Sequence, residues 1–316
     1  MNTIGFFTNN HYLRKIQLIY DRMVIETNIS AQNNIFECLS AVFDMIHRIQ
    51  ETEDKEILLD LSKVTATSPA FSLPLSVFLA SSEKTLGFQL SKEMENVYFS
   101  EGIQAGKMRL SSFRAQMQAY TSMDYLPIVV FPTSHAEEDL KDSIQSIVEN
   151  VLIEQIDNTR NVASGLRYVI GEYVDNITQH AKSEWGYIAA ATNKEKRYID
   201  ICIADQGITL LGSYKENNDM DIITDMEALK AANRGISTKN LPNAENRGYG
   251  IITSKKMLTD GLGGLFIMMS GSAMLIKSEN LNEYVELPEK LSCKGTIVIC
   301  HMPFDNKDFN YINYVE

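Results

Sequence analysis

The sequence predicts a mixed α/β chain: a small α/β unit first, then a second unit that layers helices on a mixed sheet. Two observations carry this. Over residues 33–90, helix-like and strand-like runs alternate. In the second half, a helix is followed by two strand-like runs, a long and initially polar segment, another helix and three further strands. A length of 316 residues fits two domains. The division is expected at 132/133, where Pro132–Asp139 turns polar and opens a long helix.

Taken in order, Ile35, Leu39, Val42, Phe43, Ile46 and Ile49 share one helical face and predict an amphipathic helix over 33–50. Glu56–Leu61 reads as a strand. Ser62–Pro69 turns the chain into an apolar helix-like run over 70–82, interrupted by Pro74. Ser68 fits an N-cap with Pro69 at the first helical position. Leu86–Leu90 reads as a further strand. The helix running to about Ile156 has two open roles, joining the domains or contributing to a homodimer interface.

The run Gly171–Ala181 is the most informative stretch. Val169, Ile170, Tyr173, Ile177 and Ala181 form its apolar face. Glu172 and Asn176 stand four apart on a second face. Such a pair is usually only a solvated surface. It also suits chemistry, because an Asn carbonyl oxygen is a hard ligand for Mg²⁺ and a Glu can orient or deprotonate a nucleophile. Strand-like runs follow at Trp185–Thr192 and Tyr198–Ala204, the second ending in Asp205-Gln206-Gly207-Ile208-Thr209. Arg247-Gly248-Tyr249-Gly250 then opens a helix through Thr259. Strands are expected near Leu265–Met269, Ala273–Lys277 and Thr296–His301, the last introduced by Gly295-Thr296. Gly261, Gly263 and Gly264 read as a turn.

Composition narrows the function classes. The net charge of −12 argues against nucleic acid as a partner of the whole chain. The four cysteines, Cys38, Cys202, Cys293 and Cys300, are scattered without CxxC spacing, so reduced thiols in a cytoplasmic protein are expected rather than a zinc site or disulfides. No apolar run is long enough for a membrane span, and no secretory signal pattern is evident.

The ordered set Glu172/Asn176, Asp205/Gly207, Gly248/Gly250 and Gly295-Thr296 resembles the GHKL superfamily of ATP-binding domains. That superfamily includes histidine-kinase catalytic domains, type II topoisomerase, chaperone and mismatch-repair ATPases, and anti-sigma serine kinases. The resemblance covers roughly residues 145–305. It implies a GHKL (Bergerat-type) two-layer sandwich, with ATP and Mg²⁺ as cofactors. In that reading Asp205 accepts a hydrogen bond from the adenine amine, Gly207 turns the backbone beside the base, and Thr296 adds a hydroxyl there. Gly248 and Gly250 bring the backbone to the phosphates, and Arg247 adds a cation. Asn176 holds Mg²⁺ when nucleotide is bound. Glu172 is the catalytic residue, activating water or a protein hydroxyl. The segment 208–246 takes the place of an ATP lid.

Thr209 departs from the family's Asp-x-Gly-x-Gly box and requires a negative φ at that position. His180 has two readings, a phosphate contact or a histidine packed at a helix end. In the first half, Asp60-Leu61-Ser62 leading to Ser68-Pro69 resembles loosely the STAS domains of anti-anti-sigma factors. Thr67 or Ser68 would be nearest to their phosphoacceptor, although Pro69 and the missing Ser-Ser-Gly signature depart from that pattern.

The resemblance implies an Mg²⁺-dependent ATP-binding regulator, either an ATPase or an anti-sigma-type serine/threonine kinase acting on a protein partner. A nucleotide-gated interaction switch without turnover is the alternative. A sensor histidine kinase is not expected, since none of the five histidines sits in a His-Glu phosphoacceptor pattern. Nor is a topoisomerase- or chaperone-like machine, whose following domain is not expected here.

Overall fold

The computed structural model describes residues 23–157, 160–216, 221–236, 249–306 and 308–314. The chain begins with β1 (Met23–Glu26), α1 (Ile35–Glu51), β2 (Glu56–Leu61), α2 (Pro69–Ala80) and β3 (Thr85–Leu90). The three strands form a parallel sheet in the order β1-β2-β3. Strand–helix alternation produces this arrangement, because a parallel connection needs a crossover. A reciprocal capping box between Asn34 and Glu37 starts α1.

Helix α2 differs from expectation in two ways. It runs unbroken through Pro74. Ten of its twelve residues are buried, so tertiary packing on all sides outweighs the proline penalty. Its buried serines return their hydroxyls to the backbone: Ser72 Oγ donates to Ser68 O at 3.0 Å and Ser76 Oγ to Ser72 O at 2.7 Å. Ser68 does occupy the N-cap position with Pro69 behind it, but its side chain makes no capping hydrogen bond.

The chain continues through α3 (Lys92–Asn96), β4 (Ile103–Gln104), α4 (Leu110–Gln118), β5 (Tyr125–Pro132), α5 (Glu138–Gln155) and α6 (Arg160–Asn176), which ends in a π-turn, Ile177–Ala181. Then come β6 (Trp185–Asn193), β7 (Tyr198–Asp205), α7 (Leu210–Glu216), α8 (Asp225–Ala232) and α9 (Tyr249–Lys256). Strands β8 (Leu265–Gly271), β9 (Ala273–Lys277), β10 (Asn282–Glu286) and β11 (Cys293–Pro303) complete an eight-stranded sheet. Its order is β10-β9-β8-β11-β7-β6-β5-β4. Neighbours are antiparallel except β4 and β5. This sheet reaches back to β4 and β5, ahead of the 132/133 division expected from the sequence.

Strand parity sorts the core. Ile199, Ile201 and Ile203 of β7, Phe266 and Met268 of β8, and Val298 and Cys300 of β11 point to a face covered by α5 and α6. Cys202 and Ala204, Ile267 and Met269, and Ile297 and Ile299 point the other way, into one cluster with Phe71, Leu73 and Leu75 of α2 and Leu39 and Val42 of α1. The fold is therefore layered: the small sheet, α1 with α2, the large sheet, then the remaining long helices. Among the described residues no helix is long and apolar enough to cross a membrane.

Candidate functional site

A cleft lies on the helix face of the large sheet. Glu172, Asn176, Asp205, Gly250 and Thr296 line it. Five of the eight positions singled out from the sequence thus meet at one place. Gly207 adjoins it, against Ala181. Arg247 and Gly248 lie outside the described residues, as do Ser237–Asn240 of the expected lid.

Asp205 ends β7 and is 2 % exposed. One carboxylate oxygen accepts from Gly207 N at 2.8 Å and the other from Thr296 N at 3.2 Å. Burial pushes the carboxyl up to about 7, against the downward pull of those two N–H groups. Each oxygen retains a second lone pair for a donor arriving in the cleft.

Two glycines make this geometry possible. A Cβ at Gly207 would run into the carbonyl of Ala181. Gly295 has φ +75° and lies so close to Asp205 that a Cβ would overlap its carboxylate and backbone. The Gly295-Thr296 pair can therefore bring its backbone to Asp205 only without a side chain at 295.

The far end of the cleft is built by α6 and α9. Gly250, in the first turn of α9, meets the carboxylate of Glu172 so closely that any Cβ would collide with it. Glu172 therefore sits at the N-terminal end of that helix, where the backbone carries partial positive charge. One turn further along α6, Asn176 lines the cleft, and its buried Nδ2 finds no hydrogen-bond partner among the described residues. Buried polar atoms without partners are rare. Tyr173 also lines the cleft, stacks on Phe266 at 6.0 Å between ring centres and buries its hydroxyl near Ser254. His180 lines it as well, which places that residue at the cleft.

Thr209 has no positive φ. Its hydroxyl accepts from Gly212 N at 3.2 Å and caps α7. Threonine at this place therefore starts a helix, a role glycine fills less well.

Several residues that support the surroundings of the cleft escaped the sequence reading. Ser270, at the end of β8, accepts from Leu210 N at 2.9 Å and donates to Gly295 O at 3.2 Å. Its oxygen is also 3.2 Å from Thr296 Oγ1. A single hydroxyl closing the apolar run Leu265–Met269 was its signal. Asp225 accepts from both the N–H (2.9 Å) and the hydroxyl (3.1 Å) of Ser272, tying α8 to the β8–β9 turn. The Thr224/Glu227 capping box marked that helix start. Lys255 donates to Asn233 O and Oδ1 at 3.2 and 2.9 Å. Burial, reinforced by Lys277, lowers it to about 8. Gln206 donates to Val77 O at 3.0 Å and accepts from the Tyr187 hydroxyl at 3.1 Å. It joins the Asp205 turn to α2 on the opposite face of the sheet.

Compared with protein-family models, curated proteins and solved structures, the chain matches none of them.

Proposed function

We propose that this cleft binds ATP with Mg²⁺ in the manner of GHKL-type domains. The observation that carries the reading is Asp205: a buried carboxylate clasped by Gly207 N and Thr296 N, in a turn where neither 207 nor 295 accommodates a side chain. Such a group suits the donor edge of adenine. The orphaned amide of Asn176 supports an incoming partner at the other end. Asn176 would hold Mg²⁺ through its carbonyl oxygen, and the metal would supply neutralising charge at the phosphates. Glu172, beside the start of α9, would take the proton from the attacking water or from a serine or threonine hydroxyl of a protein partner. Gly250 would admit the phosphates to that helix end.

In this reading the chain is a cytoplasmic regulator whose first unit is STAS-like, acting on a protein partner as an ATPase or an anti-sigma-type kinase. A second reading, a nucleotide-gated switch without turnover, is favoured by the Gln206–Val77 hydrogen bond, which links the Asp205 turn to the first unit.

The test is calorimetry with ATP, with and without Mg²⁺, on wild type and Asn176→Ala. Mg²⁺-dependent binding that is lost in the variant is expected; absence of binding to the wild type overturns the proposal. Glu172→Ala separates the two readings. Binding retained with phosphate release or transfer abolished identifies an enzyme, and retained cellular activity identifies a switch.

A further inference from the structure

The large sheet ends in β10, which pairs with β9 alone. Its backbone therefore has one edge with no strand beside it among the described residues, and Asn282, Glu283 and Glu286 are exposed there. An open edge of this kind is a template for a further strand unless it is covered or blunted. Strand parity sorts its side chains. Tyr284 packs on the helix-face core and Val285 on the opposite one, so Asn282 and Glu286 share the helix face with Tyr284.

Charge changes sign along this edge. Glu286 lies opposite Ala273, and Asn282 opposite Lys277. Helix α8 runs beside them, from its tie between Asp225 and Ser272 to its last turn, where Lys230 Nζ stands 5.5 Å from the centre of the Tyr284 ring. Arg234 follows directly and acts on the Tyr284 hydroxyl, against the upward push of burial. The Glu286 end is therefore acidic and the Asn282 end basic. Within one chain these charges stay unmatched: Glu286, Lys230, Arg234 and Lys277 form no salt bridge among the described residues. Two of the cations lean on neutral groups instead, Lys230 on the Tyr284 ring and Lys277 Nζ on Ser278 O at 2.8 Å.

We infer that β10 is the edge through which this chain pairs with a second copy of itself, antiparallel about a two-fold axis at Tyr284. A two-fold interface sets one surface against itself and so requires self-complementarity, and this edge meets that condition. Tyr284 is the central residue of Asn282–Glu286. Pairing it with its counterpart sets Glu286 opposite Asn282 of the second copy. Glu286 then lies diagonally beside Tyr284 of that copy, within reach of Lys230 and Arg234 there. Glu283 falls opposite Val285, so no two β10 side chains of like charge stand directly opposite. Both helix faces stay on one side, and the two eight-stranded sheets continue into one. A strand of a different protein would have to supply both halves of this charge pattern, whereas the second copy carries them already. The pairing does not depend on the reading of the cleft.

Sedimentation equilibrium of the full chain is expected to show a monomer–dimer equilibrium that weakens as salt is raised. Glu286 and Arg234 are exposed, so Glu286→Lys and Arg234→Glu retain the fold. Each alone should raise the dimer dissociation constant roughly tenfold, because every change is made twice per interface, and the two together should restore it. Register is read from disulfide capture under mild oxidation, with the wild type as the control for its native cysteines. Tyr284→Cys should crosslink to itself. Asn282→Cys should not, since two-fold pairing leaves its own counterpart about 13 Å away along the strand, whereas a mixture of Asn282→Cys and Glu286→Cys should. A chain that is monomeric at every concentration overturns the proposal. A dimer indifferent to Glu286→Lys and Arg234→Glu, or one captured through Asn282→Cys alone, overturns this edge as its interface. A dimer with the expected responses in a chain that binds no ATP supports the pairing and overturns only the reading of the cleft.

Discussion

On the helix face of the large sheet, β7 and β11 bring Asp205 and Thr296 to the cleft, and β8 backs them with the buried Ser270. On the opposite face the same three strands present Cys202, Ala204, Ile267, Met269, Ile297 and Ile299 to α1 and α2. One backbone serves both, because alternate residues of a strand point to opposite sides. The cleft face holds its polar groups in a network fixed by glycines and backbone N–H groups. The other face is held by close apolar packing. Substitutions on the two faces should therefore separate stability from ligand binding.

The largest effect is expected on the apolar face. Ile267 is fully buried, and Ile267→Ala should cost about 2–5 kcal/mol in denaturant unfolding. Nucleotide affinity per folded molecule should stay at the wild-type value. A parallel fall in both would mean that the faces are not separable.

Gly295→Ala should come next. It forces a Cβ into Asp205 from a left-handed backbone position, costing roughly 1–3 kcal/mol of stability. Unlike Ile267→Ala it should also weaken ATP, because the Thr296 N–H moves with it. Unfolding and ATP titration of the same preparation make the distinction.

Asp205 sharpens the comparison further. Its carboxyl is raised from 3.8 to about 7, so the folded chain holds that proton more tightly than the unfolded chain. Stability contributed by this group is full at low pH and falls as pH rises from about 4 to about 7. In Asp205→Asn that part of the slope should vanish, while ATP affinity drops roughly 10- to 100-fold. Unfolding curves across this pH range provide the check; an unaltered slope would show that burial of this carboxyl does not govern the profile.

The smallest effect is expected from Gln206→Ala, which removes the hydrogen bonds to Val77 and Tyr187. A stability loss of about 0.5–1.5 kcal/mol is expected, with ATP affinity changing only through the position of the Asp205 turn. Titration calorimetry beside thermal unfolding measures both.

Much of this contrast was legible in the residue order. Val169, Tyr173 and Ile177 marked the buried face of α6, and Glu172 and Asn176 therefore had to share another. Strand β7 read as a strand because β-branched residues crowd it, in Ile199, Ile201 and Ile203. Strand β5 was not recognised: Tyr125–Pro132 contains two prolines and no polar alternation, since seven of its eight residues are buried. Helix α2 looked broken because Pro74 argues locally against a helix, whereas burial on all sides is a tertiary fact. The ties of Gln206 to Val77 and of Asp225 to Ser272 span long sequence separations, which no local pattern encodes. The dual burial of the large sheet left a trace in runs such as Ile201–Ala204 and Leu265–Met269, where consecutive rather than alternate residues are apolar.

The apolar side of the large sheet bears on how such a chain can be inherited. A module that could be shuffled freely between genes would show water a polar outer surface wherever its neighbour is removed. Here the neighbour covers Cys202, Ala204, Ile267 and Ile299, all of them buried. Cutting the chain after β3 would strip that cover and leave a greasy plate prone to self-association. Separating the first unit from the cleft would therefore be expected to cost solubility.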